Sequence, residues 1–399
     1  MKNFILLFTI LLFAITNSYA QADSVQVPTQ KTDAGYNSGE ANHMVIHNPS
    51  TNLNKLFLFI PGTSATPSNY YNVCLFAGNL GYDVISLSYL NSVGTATLAT
   101  STDSLAFGKY RQEICFGSPV SDDIVVDTLN SITTRTLKLI NYLDTAYPSQ
   151  NWNQYLVDST TINWSKVAVA GHSQGGGHAY YLAKKHLVDR TIAFSSPNDY
   201  SSHYNRPALW LSDNSNTPSI SYYAYLNIFE DLDQAVVNFA NQLESVSKVG
   251  IFPRFDTVNV DNNAYPYNGT RCLYTAQQPS GSGSTFIARY GFHNSTVIDS
   301  TTINKSAWTH LLTSDVTSVE EYLQHTNTLQ LSPNPASSST TITSSSNIIG
   351  KTCRITNING VTSSNFTINA NPFTIDISSL AIGMYFIIVD ENVIKLLKQ

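Results

Sequence analysis

An α/β fold with a doubly wound, mostly parallel sheet, followed by a small C-terminal all-β sandwich, is what this 399-residue chain predicts. Three observations carry that expectation. Short continuous apolar runs alternate with stretches of 3.6-residue apolar rhythm from residue 55 onward, the pattern of strands covered by helices on both faces. One such run, residues 166–170, leads straight into the glycine-rich turn Gly171-His172-Ser173-Gln174-Gly175-Gly176-Gly177, and an alanine- and leucine-bearing helix leaves it. Beyond residue 326 the rhythm changes to period two, broken by Gly, Asn and Ser turns and with no helical stretch.

The elements follow in chain order. Residues 1–20 open with Lys2, continue through an apolar run from Phe4 to Ile15 and close on Ser18-Tyr19-Ala20. That is the charged start, apolar centre and small-residue exit of a secretory signal peptide cleaved after Ala20. The run is too short for a membrane span, and no other segment approaches the length needed. Residues 21–42 are polar and patternless, which predicts a loosely docked leader. Residues 55–60 read as a central strand ending at Pro61-Gly62-Thr63-Ser64. A helix through Tyr70, Val73, Phe76 and Leu80 and a strand at 84–89 come next. Residues 91–123, rich in Gly, Ser and Thr, read as a loop or cap insertion over the carboxyl edge of the sheet. Apolar rhythm from Ile124 to Tyr147 predicts a long helix, stopped by Pro148. After Ser173 come a helix through Leu187, a strand at 190–195, an aromatic-dotted insertion at 200–219, a strand at 220–227, a helix at 235–243 and a strand from Cys272. Residues 21–325 are thereby one domain and residues 326–399 a second.

Composition narrows the function. Charged residues are 12% of the chain and the formal net charge is −6, about half the usual charged share. No basic cluster or stripe interrupts the sequence, which argues against a nucleic-acid partner. Cys74, Cys115, Cys272 and Cys353 have neither CxxC nor histidine-paired spacing, so no zinc site is expected. A single disulfide between Cys115 and Cys272 would suit an exported chain, while Cys74 sits in an apolar helical pattern and reads as a buried thiol.

The turn at Ser173 is a nucleophile elbow. A strand that reverses into a helix within two residues forces the serine into a sparsely allowed conformation and leaves no room for side chains two positions either side, hence Gly171 and Gly175. The hydroxyl is lifted clear of the sheet edge, and the helix N-terminus points its N–H groups at any oxyanion formed there. A serine needs a base, and the base a third group that fixes its tautomer, in the chain order Ser, acid, His. His293, in a loop past the last apolar stretch of the domain, is the base preferred over His310, whose flanks are helical. His172 and His178 read as packing groups. For the acid, Asp231 follows the strand at 220–227, Asp233 stands at the start of a helix where capping competes, and Asp199 follows the preceding strand. The amides of Thr63 and Gln174 are the candidate oxyanion donors.

On the G-H-S-Q-G-G-G elbow and the Pro61-Gly62-Thr63 loop, residues 21–324 resemble the α/β-hydrolases, specifically secreted bacterial serine hydrolases. The resemblance implies a triad on Ser173, His293 and an aspartate, hydrolysing ester-type small molecules or polymers with no metal or organic cofactor. Lipase or peptidase activity on the same fold, and a non-catalytic surface binding or adhesion module, are the other readings. Residues 329–399 resemble the sorting domain of type IX secretion, on the Ser332-Pro333-Asn334-Pro335-Ala336 start, the Gly383, Tyr385 and Val389 strand and the Lys-containing end. That implies the type IX machinery as a partner and a secreted or cell-surface location.

Overall fold

In the computed structural model, which describes residues 22–37, 39–230, 238–251, 257–279, 291–314, 329–344, 347–357, 362–389 and 392–399, a nine-stranded sheet organises the chain up to residue 279. Its strands are Asp23–Val27 (β1), His43–His47 (β2), Leu56–Ile60 (β3), Asp83–Ser86 (β4), Val167–His172 (β5), Arg190–Phe194 (β6), Tyr222–Asn227 (β7), Thr257–Asn259 (β8) and Cys272–Thr275 (β9). In space they run β1-β2-β4-β3-β5-β6-β7-β9-β8. The β1–β2 and β2–β4 pairs are antiparallel. Every other neighbouring pair is parallel, so the sheet is mixed, with β5 near its middle.

Among the described residues, six helices of nine or more residues accompany it: Tyr71–Asn79 (α1), Ala106–Phe116 (α2), Ile132–Ala146 (α3), Gln174–Lys185 (α4), Phe239–Lys248 (α5) and Thr302–Thr313 (α6). The alternation of side chains along β3 shows how they divide. Leu56, Leu58 and Ile60 enter one core with Ile132 and Leu139 of α3 and Leu182 of α4. Phe57 and Phe59 enter the other with Val73 and Ala77 of α1 and Trp308 and Leu311 of α6. All five β3 side chains are fully buried, each contributing about 1.5–3 kcal/mol. A continuous apolar run is what a strand covered on both faces requires.

Four expectations change. The leader is no loose segment over 23–27: β1 pairs residue by residue with β2, from Asp23 opposite His47 to Val27 opposite His43. An edge strand hides few of its side chains, here Val27 while Val25 is exposed, so its apolar signal is faint. Residues 91–123 are not simply a loop, because α2 buries Phe107, Tyr110 and Ile114 at helical spacing and ends at Gly117 in the left-handed region, φ 71°. The helix expected from Ile124 starts at Ile132, where Ser131 caps it by accepting from the Thr134 N–H. No disulfide joins Cys115 to Cys272; both are buried thiols.

The C-terminal strands are Leu329–Ser332 (β10), Ser339–Ser344 (β11), Thr352–Asn357 (β12), Thr362–Thr367 (β13), Phe373–Asp376 (β14), Gly383–Val389 (β15) and Asn392–Lys398 (β16). They form two antiparallel sheets, β10-β11-β14 and β13-β12-β15-β16. Ile342 and Ile375 of the first share a core with Ile355, Ile387 and Leu396 of the second. The signal segment at 1–20 and the domain boundary expected at 325–326 lie outside the described residues.

Candidate active site

Ser173 joins β5 to α4 with φ 55° and ψ −125°, a region that costs a non-glycine residue about 1–3 kcal/mol. Its N–H is held by the Phe194 carbonyl at 2.9 Å. The glycines around it each admit a different neighbour. A Cβ on Gly171 would lie 2.3 Å from the Gly175 carbonyl carbon, and one on Gly175 would lie 1.9 Å from the Ile60 oxygen at the end of β3. On Gly176 it would meet Ser196 Cβ at 2.6 Å, and on Gly177 Arg111 Nη2 at 2.2 Å. The triple glycine is therefore the footprint of three elements packed on the first turn of α4.

A hydrogen-bonded chain ties the loop after β3 to the loop that carries His293. The Gly62 N–H donates to Tyr70 Oη at 3.0 Å, and Tyr70 Oη lies 3.1 Å from His172 Nδ1. His172 Nε2 lies 2.9 Å from the His293 carbonyl oxygen. A carbonyl only accepts, so Nε2 carries the proton and Nδ1 accepts from Tyr70. Burial holds this imidazole well below its ordinary value and keeps it neutral. The rings of His172 and His293 stand 4.6 Å apart by centroid. His172, read from the sequence as packing, thus anchors the backbone of the candidate base.

His293 lies in a single turn, Gly291–Asn294. Its Nδ1 is in hydrogen-bond contact with Glu230 Oε1, and both side chains are buried. Glu230 sits three residues past the end of β7, in a turn closed by its N–H on the Asn227 carbonyl at 3.2 Å. Asn227 Nδ2 in turn donates to Ser295 Oγ at 2.7 Å, tying the two loops together. Burial pushes the His293 imidazole below its ordinary value. With Nδ1 on the carboxylate, Nε2 is the nitrogen at the opposite edge of the ring.

Of the three acids expected from the sequence, only Asp199 lies among the described residues. Asp199 is committed elsewhere: Arg111 Nε donates to its Oδ2 at 3.0 Å, Arg111 Nη2 pairs with Oδ1, and Trp210 Nε1 donates to Oδ2 at 2.8 Å. Asp231 and Asp233 lie outside the described residues; the carboxylate on His293 Nδ1 belongs to the residue just before them. His310 is packed, its Nε2 on the Thr270 carbonyl at 2.7 Å. His178 is buried with Nδ1 3.7 Å from Cys115 Sγ and its ring stacked on Tyr110. Thr63 and Gln174 are brought together, Thr63 Oγ1 donating to Gln174 Oε1 at 2.7 Å.

Sequence reasoning also passed over Arg111 and Asn198. Arg111 reaches from α2 to the Gln174 carbonyl at 2.6 Å; the helical spacing of Phe107, Tyr110 and Ile114 marks the helix that carries it but not its partners. Asn198 Nδ2 donates to Ser173 Oγ at 3.4 Å, and nothing local in its sequence marks it.

Fold and tail define an exported protein built from an α/β unit and an all-β unit. Residues 330–399 match the secretion system C-terminal sorting domain family. This type IX sorting tail indicates export to the outer membrane or cell surface, with the type IX machinery as partner. No curated protein matches the chain. Among the described residues no helix is long and apolar enough to cross a membrane.

Proposed function

We propose that the protein is an exported serine hydrolase of the α/β-hydrolase kind that cleaves carboxylic esters through a triad of Ser173, His293 and Glu230. The observation that supports this most is the position of His293, whose Nδ1 is on a buried carboxylate while its own carbonyl is bonded to His172, the residue before Ser173. The strand order, with the serine on a central parallel strand and acid and base past later ones, agrees with that reading.

In this mechanism His293 Nε2 takes the Ser173 proton as Oγ bonds to the ester carbonyl carbon and the carbonyl electron pair moves onto oxygen. Glu230 fixes the tautomer and steadies the imidazolium. The Thr63 and Gln174 amides hold the oxyanion. Collapse expels the alcohol with the proton from His293, and water repeats the sequence on the acyl-enzyme. In the test, wild-type protein hydrolyses short p-nitrophenyl esters and takes up a fluorophosphonate on Ser173, and Ser173→Ala does neither. Hydrolysis by Ser173→Ala at the wild-type rate would end the proposal. A panel of acyl lengths and peptides separates esterase from lipase and peptidase.

A further inference from the structure

Strand β5, which leads into Ser173, lies between β3 and β6. Thr63 stands on the loop past β3, on one flank of the serine; Asn198 stands on the loop past β6, on the other. Asn198 is 6% exposed and approaches Ser173 Oγ with its Nδ2 at 3.4 Å, while its Oδ1 accepts from Gln242 Nε2 at 2.9 Å. Gln242 is 1% exposed and lies on α5. That helix is capped by Asn238, whose side chain accepts from the Asn241 N–H.

The segment carrying Asn198 is fixed on both sides. The Ser195 N–H donates to the Tyr225 carbonyl at 2.8 Å, Ser196 fills the space left by Gly176, and Asp199 is clamped by Arg111 and Trp210. A contact of 3.4 Å is long for a hydrogen bond. Contacts of this kind in unliganded sites tighten when substrate arrives, and the bond to Gln242 already faces the amide in the required direction.

We propose that Asn198 is a further catalytic residue, a donor that directs the Ser173 hydroxyl, and that Gln242 is the positioning residue acting through it. A serine Oγ turns about its side-chain torsion; a donor on the β6 flank occupies one lone pair and selects the orientation that leaves the other for the carbonyl carbon. Asn198 makes and breaks no covalent bond, and the proton still passes from Ser173 to His293. The inference rests on the serine-hydrolase reading of the site.

The test uses the full chain and four variants: Asn198→Ala, Asn198→Asp, Gln242→Met and the Asn198→Ala/Gln242→Met double. For each, the rate of fluorophosphonate labelling of Ser173 and the kcat and KM for a p-nitrophenyl ester are measured. Asn198→Ala is expected to lower labelling and kcat about ten- to hundredfold, the scale of a misplaced reacting group, with KM unchanged. Asn198→Asp keeps the size without the donor and should fall with it, which preserves the comparison if the alanine variant does not fold. Gln242→Met should lose less, and nothing further in the double, because it acts through Asn198. Wild-type labelling rates in both Asn198 variants, with a reactive wild-type serine, overturn the inference alone. Independent losses in the double overturn the role of Gln242. An unreactive wild-type serine overturns this inference and the hydrolase reading together.

Discussion

Glu230 Oε1 meets His293 Nδ1 where neither side chain has more than 3% of its surface exposed. In so dry a place the hydrogen-bonded carboxylate decides which tautomer the imidazole adopts. Glu230→Gln keeps the shape and removes the charge. It should lower kcat by about 10⁴, the scale seen when the orienting acid of a triad becomes an amide. Asp231→Asn should change kcat by less than about threefold, because Nδ1 already has its carboxylate. Kinetics on one ester settles the comparison: an Asp231 effect equal to that of Glu230 would return the acid role to the aspartate.

In the proposed mechanism the same pair sets the pH profile. The base works when neutral, so activity holds above its pKa and is lost as pH falls through it. Burial drives the His293 pKa down, and a neighbouring negative carboxylate opposes that drive by favouring the imidazolium. Residual activity of Glu230→Gln should therefore show its acid limb at lower pH than the wild type. A limb displaced upward in kcat/KM against pH would contradict the geometry.

Arg111 and Asp199 form an ion pair with neither side chain exposed. Removing one partner of such a pair leaves an uncompensated buried charge and costs about 3–5 kcal/mol. Arg111→Met should lose stability on that scale in urea unfolding. Gly177→Ala should also be destabilised, because its new Cβ would come 2.2 Å from Arg111 Nη2. In the Arg111→Met background the alanine should cost clearly less, the non-additivity expected of side chains in contact. Additive losses would show that Gly177 is small for another reason.

How much of this could be read from the residues follows from what each contact requires. The elbow at Ser173 was legible because its constraint is local: a strand, a reversal and a helix written in seven consecutive residues. The strand β3 was legible because burial on both faces demands a continuous apolar run. Glu230 is not singled out in the sequence because an aspartate stands directly after it, and position past β7 suits either carboxylate. Arg111 was hidden for a different reason. Its partners, Asp199 and the Gln174 carbonyl, are 88 and 63 residues away, and a contact of that kind leaves no periodic trace. The second and third glycines of the triple carried part of that information, since each marks a neighbour that arrives from elsewhere in the chain.

Buried histidines give the protein a pH-dependent stability whose sign can be worked out. Burial lowers His43 to about 3 and His186 to about 4, and holds His172 and His178 well below their ordinary value. In the unfolded chain each titrates near 6.5. Between those limits the unfolded state binds more protons than the folded one, so stability rises with pH through this window and is lost as pH falls below about 6.5. Each such group adds at most about 1.4 kcal/mol per pH unit to the slope. Urea midpoints should drop from pH 7.5 to pH 5, and the drop should be smaller in His178→Phe, which keeps a ring against Tyr110 and removes one titrating group. Equal midpoints at pH 7.5 and pH 5 would mean that these imidazoles reach protons without unfolding.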